Sequence, residues 1–430
     1  MKEFPTPAAG ESRLRLLLFF RWLRHLVLAG CLGLCFWQCS PQVQQAGVAP
    51  GKGDAAEPQI RVCIAENPRG QFLSFSGKYQ LDLEEARYFF DDGVGKLSVS
   101  YRDGALFLSN SQRYFELDPP QTLIFKPELP RDHFIWNDVP YYGELLIHFR
   151  EDRVMIVNEL PVETYLNGVL PFEIPTNQSE YQEAVLAQAI AARSYALYRL
   201  ENPVNELYDA WADERDQIYK GDLQKTPLAE RAISNTRGIV LVNQGSPAIA
   251  QYHSTCGGVL EAYIGSDPGG IAYDMTDNEY NCKVSPYYRW VEFRKVETVL
   301  WNLSREFEID STQVNSWIES GFELDLNISQ RKASGRVAEM VVGVQGAEYR
   351  VDGLRIRQIL ADESGKPLPS NFFFLNKSPA NPEKFYIFGA GAGHGSGMCQ
   401  WGAIGMSMKG YKYNNILGLY YPQLATQKMY

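Results

Sequence analysis

Several things are scarce in this sequence of 430 residues, beginning with positive charge: 41 Lys and Arg stand against 51 Asp and Glu, for a formal net charge of −10. A nucleic-acid binder usually shows a basic excess or stripe, so the balance argues against one and leaves a neutral sugar polymer open as substrate. Long hydrophobic runs are missing too. The apolar stretch at residues 26–37 falls short of the roughly 20 residues that a spanning helix needs, and Arg21 and Arg24 separate it from the apolar residues 16–20. Internal repeats and long charge runs are absent. The glycine-rich stretch at 389–403 has no Gly at i, i+2 and i+5, and too little chain follows it for the rest of a dinucleotide-binding unit. A P-loop fails as well, because Tyr411 rather than Lys-Ser/Thr follows Gly410. Cysteine is sparse beyond the N-terminus: Cys31, Cys35 and Cys39 lie in the first 39 residues, leaving Cys63, Cys256, Cys282 and Cys399.

What is present is apolar and aromatic. The chain is 45% hydrophobic and carries 25 Tyr, 22 Phe and 8 Trp, enough for a sizeable core. Aromatic rings stack on sugars, although most such residues fill β-rich cores. Lys2, Arg13, Arg15, Arg21 and Arg24 ahead of a short apolar stretch make residues 1–39 a secretory leader, which implies export and association with a membrane through the N-terminus. Leu28-Ala29-Gly30 before Cys31 looks like a lipoprotein cleavage box, which would lipidate Cys31; a Sec-type signal, cleaved or not, is the alternative. Residues 40–57 are small, polar and rich in Gly and Ala, the composition of a flexible tether.

From 58 to 157 the pattern is short β runs such as Ile60-Arg61-Val62-Cys63-Ile64, separated by turn signals at Asp91-Asp92-Gly93, Asp103-Gly104 and Asn137-Asp138. At Ser179 the period changes. Ser179-Glu180-Tyr181-Gln182 fits a capping box, and the Ala-rich run after it predicts a buried helix over 180–200. Residues 239–242 and 248–252 read as a hairpin, 296–365 as a mixed insert with a strand at 337–344, and 385–388 as a strand before the glycine loop. A small-residue helix follows at 400–409. The class is α+β: a β-rich module at 58–157, then a mixed core at 158–430 that carries the insert.

Four constellations bear on chemistry. Glu173 lies between Phe172 and Ile174 and is bracketed by Pro171 and Pro175. A carboxyl held among apolar groups on a rigid backbone has its pKa raised, as a general acid at a glycosidic oxygen needs. Capping the following helix, or pairing with Arg193, is the structural alternative. The helix offers Gln188, Arg193, Ser194 and Tyr195 to a cleft, with Arg193 equally suited to an ion pair. Tyr252, His253 and Ser254 precede Cys256-Gly257-Gly258, where His253-x-x-Cys256 is half a zinc site that Cys282 would complete or, equally, Cys256–Cys282 is a disulfide. The glycine loop presents His394, Ser396, Cys399, Gln400 and Trp401, its glycines permitting a bulky polymer to approach.

Taken in order, these segments resemble the stage II sporulation protein D and amidase-enhancer family. That family's pattern runs E-x-Y-L-x-G-V-x-P-x-E-x-P, A-Q-A-x-A-A-R-[ST]-Y-A, H-S-T-x-G-G, G-x-G-H-G-x-G-M-x-Q-x-G-A and G-Y-x-Y-x-x-I-L-x-x-Y-Y. The chain matches it at Glu163 to Pro175, Ala187 to Ala196, His253 to Gly258, Gly391 to Ala403 and Gly410 to Tyr421. The resemblance implies a lytic transglycosylase acting outside the cytoplasm on peptidoglycan glycan strands stripped of stem peptides, with Glu173 as catalytic acid and no cofactor required. The substrate-binding candidates are Gln188, Arg193, Ser194, Tyr195, Tyr252, His253, Ser254, His394, Gln400 and Trp401. Cys399 departs from the Ser usual there, and the insert carries nothing over. Some members bind glycan and stimulate a cell-wall amidase instead, which makes a non-enzymatic binder with an amidase partner the alternative. A cysteine nucleophile built on His394 and Cys399 is a third class.

Overall fold

The computed structural model describes residues 56–430, apart from 84–85, 103–104, 112–113, 118–121, 151–152, 262–280 and 378–380. The leader, nearly all of the tether and the Asp103-Gly104 turn lie outside the described residues. Among the described residues no helix is long and apolar enough to cross a membrane.

Twelve strands come first: β1 (Gln59–Glu66), β2 (Arg69–Ser76), β3 (Tyr79–Leu83), β4 (Ala86–Phe90), β5 (Leu97–Arg102), β6 (Ala105–Ser109), β7 (Tyr114–Leu117), β8 (Leu123–Pro127), β9 (His133–Trp136), β10 (Val139–Tyr142), β11 (Glu144–Arg150) and β12 (Arg153–Pro161). Six of them, in the order β10-β9-β2-β5-β6-β7, form one antiparallel sheet. The rest join β13 (Ala210–Trp211) in the order β13-β1-β12-β11-β8-β3-β4. Alternation explains the layers: Leu123 and Phe125 of β8, and Phe134 and Trp136 of β9, point inward while their neighbours do not. The two inner faces meet through aromatic rings, with Phe75 stacked on Phe125 at 5.6 Å and Tyr79 edge-on to Phe134 at 6.3 Å. Asn137 and Asp138 both take positive φ, the two-residue turn that β9 and β10 need.

The sheet hands the chain to α1 (Val162–Asn167) and α2 (Leu170–Glu173), then to α3 (Gln182–Glu201). Every residue from 184 to 197 of α3 is buried, so this is a central helix rather than an amphipathic one. The capping box at Ser179 does not form. Ser179 opens a 3₁₀ turn without a side-chain cap, and the amide of Glu183 instead donates to Ser407 Oγ at 3.2 Å. After α4 (Pro227–Asn235), β14 (Ile239–Asn243) pairs with β15 (Ser246–Pro247). That hairpin is shorter than expected, because Tyr252 and His253 leave it to form β16 beside β23 (Met398–Cys399). β24 (Ala425–Lys428) closes the other edge of β14.

A second hydrophobic cluster gathers side chains between residues 296 and 387. It holds β17 (Trp290–Lys295), α5 (Val296–Glu306), α6 (Ser311–Ser320), β18 (Leu324–Arg331), β19 (Val337–Val344), β20 (Ala347–Asp352), α7 (Arg355–Ile359), β21 (Phe373–Lys377) and β22 (Lys384–Gly389). The packed unit is thus wider than the 296–365 read from the sequence, since β17 and β22 pair along their whole length. The small-residue helix is α8 (Gln400–Met408), and α9 (Tyr413–Tyr420) packs beside it.

Candidate active site

Glu173 is the last residue of α2, and its carboxyl is half-buried. Its Oε1 accepts a hydrogen bond from the backbone N–H of Ile218 at 2.8 Å. Burial pushes this carboxyl up to about 7, against the opposing pull of the Ile218 N–H and of the Gln400 and Tyr252 side chains. The exposed carboxylate of Glu214 pushes it further in the same direction. Gln400 Nε2, beside the carboxyl, has no hydrogen-bond partner of sound geometry.

A chain of polar side chains backs this group. Tyr165 donates to Gln217 Oε1 at 3.1 Å, and Gln217 Nε2 donates to the Tyr252 hydroxyl at 2.8 Å. Gln217 is 1% exposed, and its fixed amide orients the phenol that faces Glu173. The hydroxyl of Tyr195 is committed elsewhere, donating to Asp216 Oδ1 at 2.7 Å, where Arg199 also binds.

Gln400 reaches the site because β23 runs parallel to β16, with Tyr252 opposite Met398 and His253 opposite Cys399. The glycines ahead of β23 allow this by close approach to the chain itself. A Cβ on Gly397, at φ +70, would lie 1.9 Å from the carbonyl oxygen of Gln251; one on Gly391, at φ +76, would lie 2.5 Å from that of Thr255. His394 is exposed, donates from Nε2 to Tyr252 O at 2.9 Å and accepts from Ser396 N at its Nδ1.

Of the ten expected substrate contacts, Tyr252 and Gln400 come to the Glu173 carboxyl. Ser254 and Trp401 are half-buried nearby in sequence, and Trp401 N donates to Ser254 O at 3.0 Å. Three on α3 are enclosed. Arg193 is wholly buried and forms a bidentate pair with Glu163, both bonds at 2.8 Å, so the ion pair is made with Glu163 rather than Glu173. Ser194 bridges Ile190 O and Leu241 N. Gln188 is 0% exposed. These three residues are enclosed because α3 is buried on all sides. His253 is buried as well, with Nδ1 against Ser396 O at 3.0 Å, and desolvation holds its pKa well below the usual value.

The residues expected to form half a zinc site or a disulfide are grouped differently in the structure. Cys256, Cys282 and Cys399 bring their sulfurs within 4.8 Å of one another, and His253 is not in that group. No disulfide joins them. Cys399 is 0% exposed, its thiol is held well above the usual range by burial, and its sulfur caps α8 by accepting from Gly402 N. Burial thus keeps the metal-free Cys399 thiol protonated and shielded from solvent, against a role as nucleophile. Sequence reasoning missed Gln217 and the Ile218 amide. They sit in the irregular segment Asp213-Glu214-Arg215-Asp216-Gln217-Ile218, where no periodicity marks a function.

Residues 150–243, which hold Glu173, α3 and the Gln217 segment, match the profile of the family described as stage II sporulation protein. Over that span the chain is similar to the stage II sporulation protein D and amidase-enhancer family. Its relatives include a stage II sporulation protein D of Bacillus subtilis, 25% identical over 62% of this chain and 74% of the relative. The amidase enhancer of the same organism is 24% identical over 82% of this chain, which spans 52% of that relative. An uncharacterized protein of Brachyspira hyodysenteriae is 29% identical over 68% of this chain and 73% of its own length. Residues 272–397 match a domain of unknown function (DUF8618), a span that includes the second hydrophobic cluster.

Proposed function

We propose that this protein is a lytic transglycosylase of the cell envelope that cuts peptide-stripped peptidoglycan glycan strands and leaves 1,6-anhydro ends. The observation that carries the reading is the Glu173 carboxyl, lifted to about 7 by burial and therefore substantially protonated near neutral pH. The protonated acid gives its proton to the glycosidic oxygen as the bond to C1 breaks. The resulting carboxylate takes the proton of the sugar's own 6-hydroxyl, whose oxygen closes on C1. One carboxyl serves both steps, and no water is consumed. Tyr252 and Gln400 supply hydrogen bonds to the carboxylate formed midway. The proposed chemistry needs no cofactor.

A second reading is a non-enzymatic glycan binder that enhances a cell-wall amidase; the name of the Bacillus subtilis amidase enhancer favours it. The two part in one experiment: digestion of peptide-stripped glycan strands by wild type and by Glu173→Gln, with products read by mass. Anhydro-ended fragments from wild type alone support the transglycosylase. Hydrated reducing ends would make it a hydrolase. Retained binding with no cleavage by either protein would favour the enhancer.

A further inference from the structure

We propose that Cys256, Cys282 and Cys399 together bind one thiophilic d¹⁰ cation, with Zn²⁺ as its probe, in a structural centre that fixes the N-terminus of α8. The three residues come from the turn after β16, a short 3₁₀ turn at Asn281–Val284 and the cap of α8. They are buried at 2%, 2% and 0% exposure, and their sulfurs all lie within 4.8 Å of one another.

Distance separates a metal centre from a disulfide. Cys256 Sγ and Cys282 Sγ are 3.5 Å apart. Zinc–sulfur bonds of about 2.3 Å place two thiolates of a tetrahedron roughly 3.8 Å apart, whereas a disulfide needs about 2.05 Å. Number points the same way, since three mutually adjacent sulfurs leave one thiol over if two oxidise, while one cation takes all three.

The surroundings suit anionic sulfur. Gly258 N donates to Cys256 Sγ at 3.4 Å; Cys256 N and Gly402 N each donate to Cys399 Sγ at 3.2 Å. Such backbone donors are the outer shell that orients and stabilises metal thiolates. Gly257 and Gly258, at φ +72 and +100, let the turn fold its amides back onto the sulfur. Arg336, 3% exposed, binds Cys256 O through Nη2 at 2.9 Å, while its Nε and Nη1 have no hydrogen-bond partner. Three thiolates on a divalent cation carry a net negative charge, which offsets this buried guanidinium. The centre does no chemistry on the glycan. It ties α8, whose first residue is Gln400, to the Tyr252 strand; only this consequence rests on the proposed function.

The test uses the full chain with Cys31, Cys35 and Cys39 replaced by serine, purified under reducing conditions with Zn²⁺ supplied. The expected result is about one Zn²⁺ per chain, retained in Cys63→Ser and lost in Cys282→Ser and Cys399→Ser. A strong chelator should release it, expose three further reactive thiols and lower Tm. If the serine variants fail to fold, stoichiometry and chelator release in the parent decide alone. Zinc-free folded protein after reconstitution overturns the proposal, as does a mass short of two hydrogens with Cys256 and Cys282 joined. Zinc that persists in Cys282→Ser overturns it too. Metal absent with glycan cleavage intact sinks the centre and spares the function; metal present without cleavage does the reverse.

Discussion

Glu173 Oε1 and the backbone amide of Ile218 are 2.8 Å apart across 45 residues of chain. That single strong donor holds the carboxyl in place while burial keeps its charged form costly. Replacing Glu173 by Gln preserves shape and removes the exchangeable acid proton. Cleavage of stripped glycan strands should fall by roughly 10²- to 10⁴-fold, the usual worth of a positioned acid. Circular dichroism and glycan binding should be unchanged. A loss of less than tenfold would assign the acid elsewhere.

On the proposed mechanism Glu173 acts in its protonated form, and its folded pKa of about 7 lies above the ordinary carboxyl value of 4.5. Initial rates at low substrate should therefore decline as pH rises through about 7. Tyr252 favours the charged form, so Tyr252→Phe should move the alkaline limb upward. A limb that stays put would show that another group sets it. The same shift bears on stability. The folded protein binds the Glu173 proton more tightly than the unfolded chain, so this contribution is full below the unfolded pKa and is lost as pH rises through the folded one. Thermal melts should show Glu173→Gln gaining on wild type between pH 5 and pH 8.

Gly397 offers a backbone test of the site's construction. Its φ is +70, and an added Cβ would meet the Gln251 carbonyl at 1.9 Å. Gly397→Ala should destabilise the protein by more than about 1 kcal/mol, because the usual glycine-to-alanine gain turns to a loss where φ is positive. It should also lower turnover by separating Gln400 from Glu173. Wild-type melting and wild-type rates in this variant would mean that the β16–β23 pairing tolerates the shift.

Much of the fold is legible in the sequence because local pattern and tertiary role agree. The strand at 337–344, the strand before the glycine loop and the helix at 400–409 all form, each bounded by turn or glycine signals. The class α+β holds. Legibility ends where a side chain's role depends on long-range neighbours. Arg193 and Tyr195 look alike as polar residues on an Ala-rich helix, yet one meets Glu163 and the other Asp216. Gln217 carries no local signature, and its part comes from Tyr165 and Tyr252 closing on it. The glycines read as room for a polymer; several are room for the chain's own backbone.

The buried pair of Arg193 and Glu163 joins two of the family's sequence motifs, and its energetics are the sharpest test of the structural role given to Arg193. Both carboxylate oxygens of Glu163 accept from the guanidinium, and Tyr430 Oη and Gly238 N also donate to Oε1. Burial alone would raise this carboxyl, but the Arg193, Tyr430 and Gly238 donors together hold it below the usual value. Its stabilising contribution is thus present above the unfolded pKa and is lost as pH falls through the folded one. Arg193→Ala leaves a carboxylate buried without its counter-charge and should cost about 3–5 kcal/mol in urea unfolding. Arg193→Met with Glu163→Leu removes both charges, so its cost should fall well short of the sum of the two single substitutions. A sugar-binding Arg193 predicts something else: a raised KM with little change in unfolding midpoint. That outcome would return Arg193 to the cleft.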